Sequence, residues 1–185
     1  MKILAISGSL RAASVNTGLL RAVARLAPAH VSVMVYPDLA TLPLFNPDFE
    51  ASDPAPVANL RALIINADAV IIASPEYAHG ITGAMKNALD WMVGCEAFVQ
   101  KPVALFNAAP RAIHAYASLR EIITVMSARI IETATFTLPI VGVQLGEAGC
   151  VAHPEISVAL GSSLMALCKA VAESDPESGS SVDSK

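Results

Sequence analysis

Several things are scarce in this 185-residue chain, and each scarcity excludes something. Charged residues make up only 15% and aromatics 5%, and no excess of Lys and Arg offsets the formal net charge of −4. A nucleic-acid binder usually clusters basic residues, so no nucleic-acid partner is expected. Any phosphate must then be held by local geometry. The three cysteines (95, 150, 168) form no C-x-x-C pair and are odd in number. They read as reduced thiols of a cytoplasmic protein. The four histidines (30, 79, 114, 153) have no ligand spacing with one another or with cysteine, so no metal is expected. No apolar run reaches the roughly 20 residues of a bilayer helix; the run through Val70–Ala73 stops at Ser74-Pro75. Nor does Ile3-Leu4-Ala5-Ile6, after Lys2, suffice for a signal peptide. Two phosphate fingerprints are missing as well, G-x-x-x-x-G-K-[ST] and G-x-G-x-x-G.

What is present is apolar: hydrophobic residues are 54% of the chain, enough for one well-buried domain. Short apolar runs at Ile3–Ile6, Val31–Tyr36, Ala69–Ala73, Val103–Phe106 and Ile131–Leu138 predict five strands. Helical spacing predicts helices through Thr17–Leu26, from Asp53-Pro54 as N-cap and first helical residue, through Ile81–Met92, from near Ser118 through Met126, and from Pro154 to about Glu173. Alternating strands and helices imply an α/β fold, a flavodoxin-like three-layer sandwich with a five-stranded parallel sheet of order 2-1-3-4-5. Residues 1–173 form the domain, and the polar, Ser-rich tail 174–185 is expected to be disordered. In this class ligands bind at the carboxyl ends of the strands, where the first and third strands part.

The loops to inspect follow Ile6, Ala73 and Phe106. The first, Ser7-Gly8-Ser9-Leu10-Arg11-Ala12-Ala13-Ser14-Val15-Asn16-Thr17, leaves a strand and enters a helix. Free N–H groups and the helix dipole favour an anion there. Ser9, Ser14, Asn16 and Thr17 add neutral donors, and Arg11 a charged one. The plainer alternative is a strand-to-helix turn with Asn16 as N-cap. A phosphoacceptor receiver domain needs acidic residues after its first strand, where this chain has Ser7-Gly8-Ser9. The second loop runs Ser74-Pro75-Glu76-Tyr77-Ala78-His79-Gly80-Ile81-Thr82-Gly83. Tyr77 suits packing on a planar ligand, and Gly80 and Gly83 let backbone approach its edge. Lys86 and Asp90 read as a surface i,i+4 pair, Trp91 as core or interface, and His79 either as a ligand contact or as a solvated loop residue.

The stretches G-S-L-R-A-A-S-V-N and S-P-E-Y-A-H-G-I-T-G-A-M-K-N-A-L-D-W, with the element order over residues 2 to 172, resemble the NAD(P)H-dependent FMN reductase family, flavodoxin-like enzymes that include quinone, chromate and azo-dye reductases. The resemblance implies that Ser9, Arg11, Ser14, Asn16 and Thr17 surround the FMN phosphate. Pro75, Glu76, Tyr77 and Ala78 would run beside the flavin ring, with Asn107, Ala108 and Arg111 walling it from the third loop. It implies hydride transfer from NAD(P)H through FMN N5 to a quinone, a flavin or another small oxidant, with no side chain as catalyst, and a homodimer or homotetramer. The chain departs from many relatives in having Ala78 for Asn and Thr82 for Pro. It also has Asn107-Ala108-Ala109-Pro110-Arg111 in place of a Gly-rich loop, a segment like that of one branch of the family. Two other readings are a flavodoxin-type electron carrier and a flavin-binding protein without turnover.

Overall fold

The computed structural model describes residues 1–138 and 145–174. Four central strands lie close to their expected bounds: β1 (Lys2–Ser7), β2 (Ser32–Val35), β3 (Ala69–Ala73) and β4 (Pro102–Asn107). All pairings are parallel, in the order β2-β1-β3-β4-β5. β3 is buried on both faces along its whole length, as its uninterrupted apolar sequence requires.

The sheet separates two apolar layers of different grain. One face presents Ile3, Ala5, Ala69, Ile71, Ala73 and Ala104. These are mostly small, so the helices above can approach closely. They are α1 (Val15–Leu26) and α6 (Pro154–Ala172), with the short α5 (Glu147–Ala152) beside them. Gly18 of α1 meets the backbone of Gly146 and Glu147 so closely that a Cβ there would lie 3.0–3.1 Å from it. The other face presents Leu4, Ile6, Val70, Ile72, Val103 and Leu105 to α2 (Ala55–Asn66), α3 (Gly83–Val93) and α4 (Ile113–Val125). α6 is long and apolar enough to cross a bilayer by composition. Ile156, Leu160, Leu164 and Leu167 are spent on the sheet, however, which makes it a core helix.

Three expectations are corrected, and the plainer alternative for Asn16 is set aside. The fifth strand is not the continuous Ile131–Leu138. It is two short pieces, β5 (Arg129–Ile130) and β6 (Phe136–Thr137), both paired with β4. Between them a 3-10 turn, Glu132–Ala134, loops out. Arg120 of α4 grips the Glu132 carboxylate with both guanidinium nitrogens, and Ser163 of α6 donates to the Ala134 carbonyl. These side-chain anchors outweigh the β-propensity of the threonines. Asp53 is not the N-cap of α2; it ends a preceding 3-10 turn with φ 42°, and Pro54 takes the cap position without a side-chain bond. α4 starts at Ile113, not near Ser118. α1 is capped by Ser14, which accepts from the Thr17 N–H at 3.2 Å, not by Asn16. The expected polar tail lies outside the described residues from 175 onward; Ser174 still bonds to the Ala170 carbonyl at 2.6 Å.

Trp91 belongs to the core, 3% exposed. Its ring meets Phe45 edge-on at 5.1 Å, and its Nε1–H donates to the Pro43 carbonyl at 2.8 Å. Asn87 on the same helix donates to that carbonyl and accepts from the Phe45 N–H, strapping the chain after β2 onto α3. Lys86 and Asp90 form the expected surface pair.

Tyr36 is buried with a hydroxyl that has no partner among the described residues, and burial together with nearby Asp38 pushes its pKa above the ordinary 10.0. Burial also raises the thiols of Cys150 and Cys168 above 9.0. A folded-state pKa above the unfolded one contributes stability that is complete below the unfolded value and is lost as pH rises through the folded one. Stability against urea should therefore fall above pH ~9 as these groups ionise on unfolding. Tyr36→Phe removes an unsatisfied hydroxyl, so it should hold or raise stability at pH 7, by up to about 1 kcal/mol, and lessen the alkaline loss. A Tyr36→Phe protein less stable than the parent at pH 7 would refute this account of the hydroxyl.

Candidate functional site

The three loops do meet at the carboxyl edge of the sheet. The first is fixed to the second by two backbone bonds at one glycine. Gly8 N–H donates to the Ala73 carbonyl at 2.7 Å, and the Thr82 hydroxyl donates to the Gly8 carbonyl at 2.7 Å. Thr82 Oγ1 also caps α3 by accepting from the Met85 N–H at 3.2 Å. A Cβ at Gly8 would lie 2.7 Å from Ser74 Oγ and 3.1 Å from Met85 Cβ, so the position admits no side chain without displacing the second loop. The second loop is fixed to the third by Glu76. Its Oε2 accepts the His114 and Ala115 N–H groups, each at 2.9 Å, at the start of α4. A carboxylate there satisfies two unpaired donors and complements the helix dipole.

Within the first loop the hydroxyls divide their work. Ser7 Oγ bonds to Thr17 Oγ1 at 2.8 Å, and Ser14 is the helix cap, so Ser14 and Thr17 shape the loop from inside. Ser9 Oγ accepts weakly from the Arg11 N–H at 3.4 Å. Among the described residues the Val15 and Asn16 N–H groups find no acceptor, the first turn of α1 has no acidic residue, and the exposed Arg11 guanidinium has no ion-pair partner. Asn16 is buried, yet among the described residues its Oδ1 has no hydrogen-bond partner, a deficit that costs about 1–3 kcal/mol when left unmatched. A shallow cleft of ≈ 190 Å³ along Ala12–Val15, Gly18 and Arg21 flanks this helix start.

The second loop turns back through Ala78 (φ 49°) and His79 (φ 58°), while Tyr77 and Gly80 exchange both backbone hydrogen bonds at 3.0 Å. Two successive left-handed residues make a tight primed turn, a conformation favoured by Asn and Gly but strained for Ala. Tyr77 is 57% exposed beside it. In the third loop Asn107 is buried and its Oδ1 accepts the Ala109 N–H at 3.0 Å, Ala108 is buried, and Arg111 is exposed. The imidazoles of His79 and His114 stack at 4.2 Å with 30° between their planes.

All twelve residues expected at the site thus lie on the three converging loops, at the last residue of β4 (Asn107) or on the first turn of α1. Two of the expected roles look different in detail: Glu76 spends its carboxylate on α4, and Thr17 spends its hydroxyl on Ser7. Sequence reading missed Thr82 as the link between loops and His114 as the partner of His79. Nothing in a 35-residue separation signals a stacked pair.

Relief of the turn strain is measurable. Ala78→Gly should raise stability by about 1 kcal/mol, the cost of holding an alanine left-handed. In a domain of this size that is roughly 2–4 °C in melting temperature. A lower melting temperature would mean that the alanine methyl makes a contact worth more than the strain.

Comparison with known proteins agrees with this geometry. Residues 1–142 match the NADPH-dependent FMN reductase family. A probable NADPH:quinone oxidoreductase of Oryza sativa subsp. japonica is 45% identical over 95 residues, 49% of this chain and 47% of that one. An NAD(P)H-dependent FMN reductase of Pseudomonas aeruginosa is 38% identical over 112 residues, 59% of this chain and 60% of that one. The chain thus matches about half the length of these curated relatives. The solved structure of FerB, a flavoenzyme NAD(P)H:(acceptor) oxidoreductase from Paracoccus denitrificans, superimposes with TM-score 0.78 at 24% identity, covering 93% of this chain and 97% of that one. With the match spanning residues 1–142, most of its length, the chain belongs to the NADPH-dependent FMN reductase family.

Proposed function

We propose that the protein is an FMN-dependent NAD(P)H oxidoreductase that reduces a small acceptor such as a quinone or a free flavin. The observation that carries this reading is the start of α1. Among the described residues an anion-favouring helix end, two free N–H groups, an unpaired Arg11 and a buried Asn16 amide with an unmatched oxygen lie at the carboxyl ends of the paired strands β1 and β3. The names of the rice and Pseudomonas relatives agree with it.

The donor set fits FMN. Ser9, Arg11 and the N–H groups of Val15 and Asn16 would hold the phosphate, with Ser14 and Thr17 fixing the loop from within. Asn16 would match its free amide atom to the phosphate or a ribityl hydroxyl. Pro75 to Ala78 and Asn107, Ala108 and Arg111 would border the ring. Bound there, FMN supplies the centre that takes hydride from the nicotinamide and passes it to the acceptor. The protein's part would be to orient the ring: Gly8 lets the first and second loops close on each other, Glu76 holds the second and third loops together, and Tyr77 would shield one side from water.

Exposed Leu10, Leu44, Phe49, Tyr77 and Ile113 leave apolar surface on the described chain. This supports a homodimer or homotetramer, with Trp91 acting from inside the subunit rather than at the contact. A cytoplasmic location is supported by the three unpaired thiols.

Arg11→Ala should weaken FMN binding roughly 10- to 100-fold, the equivalent of one charge-assisted hydrogen bond. Riboflavin, which lacks the phosphate, should bind both proteins alike. Flavin fluorescence titration reads this, with circular dichroism to confirm folding. Equal loss of both flavins, or no loss of FMN, would contradict the phosphate assignment. An electron carrier would instead oxidise NADPH with ferricyanide only when a partner reductase is added.

A further inference from the structure

The charges on the rim of the mouth are lopsided in a chain that is net acidic. The three loops and the first turn of α4 carry Arg11, His79, Arg111 and His114 against one acid, Glu76. That acid is already engaged by two N–H groups of α4. The neighbouring elements do not restore the balance. Lys86 and Asp90 neutralise each other on α3, and Arg120 is paired with Glu132 further along α4. Asp53 is paired with Arg61, and Glu147 lies 3.8 Å from Arg25.

The histidine pair has a property of its own. The rings face each other, so neither nitrogen-bearing edge is used on the other, and among the described residues neither ring hydrogen-bonds to protein. Each ring therefore keeps a nitrogen-bearing edge free to donate an N–H to an anion beside the stack. The pair is positioned rather than loose: His79 by the primed turn, His114 by the Glu76 carboxylate that receives its own backbone N–H.

We propose that His79, His114 and Arg111 recognise an anionic group on the redox partner that visits the ring. That group is either the sulfonate, carboxylate or enolate of an acidic quinone, or the 2′-phosphate of the nicotinamide donor. The inference rests on the FMN reading of the same site and adds a substrate class to it. An uncharged quinone would gain nothing from this rim, and an anionic one gains a charge-assisted contact that a purely apolar wall cannot offer.

The test uses the full chain loaded with FMN, as wild type, His79→Gln, His114→Gln and Arg111→Gln. Anthraquinone-2-sulfonate is compared with 2-(hydroxymethyl)anthraquinone as acceptor, and NADPH with NADH as donor. If the acceptor carries the anion, KM for the sulfonate rises on the order of tenfold in the variants relative to the alcohol, and the NADPH/NADH ratio stays fixed. If the donor carries it, the NADPH preference falls by a similar factor and the two quinones keep their ratio. Either result supports an anion-reading rim and identifies its source. Unchanged ratios in all three variants overturn it. A second readout needs no turnover: the imidazole NMR resonances of His79 and His114, assigned from the Gln variants, should move with the sulfonate and not with the alcohol. Should the chain take up no FMN, the FMN reading falls, and this titration on the flavin-free protein still decides the rim. Movement specific to the sulfonate over the alcohol, or to NADPH over NADH, supports it, and the absence of both overturns it.

Discussion

The site depends on one backbone junction. Gly8 donates its N–H to Ala73 and offers its carbonyl to Thr82, so the loops leaving β1 and β3 are tied at the point where the strands part. Everything at the mouth follows from it. Thr82, held by that bond, caps α3 and sets where the second loop ends. The second loop, so anchored, delivers Glu76 to the start of α4 and thereby places the third loop. The absent side chain at Gly8 is what permits the contact, since the space is already filled by Ser74 and Met85.

The same economy appears in how polar groups are shared. Hydroxyls nearest the strand, Ser7, Ser14 and Thr17, bond to one another and to the helix start, so they make the loop rigid. What stays uncommitted among the described residues is the exposed Arg11, the Val15 and Asn16 N–H groups, and the buried Asn16 amide oxygen. A rigid loop with free donors is the arrangement that binds an anion with little ordering cost.

Much of this was legible in the sequence, for identifiable reasons. β3 is a pure apolar run and appears at its expected bounds, because a central parallel strand has both faces covered. The Ser7-to-Thr17 loop and the Tyr77 loop were recognisable because residues of known geometry recur there at fixed spacing. The illegible parts are those decided by distant partners. Residues 131–138 have strand composition, but Arg120 and Ser163, which interrupt the strand, come from two different helices. Asn16 looked like a helix cap, and Ser14 takes that role two residues earlier, which is what leaves the Asn16 amide free. The left-handed pair Ala78-His79 gives no compositional signal, since neither is a residue that prefers that region.

The central claim is that FMN lies with its phosphate against the start of α1 and its ring between the second and third loops. A crystal structure of the protein with FMN tests it most directly. The account predicts phosphate oxygens within hydrogen-bond reach of Arg11, of Ser9 and of the Val15 and Asn16 N–H groups, and an Asn16 amide no longer unmatched. A phosphate bound elsewhere, with the start of α1 filled only by water, would contradict it.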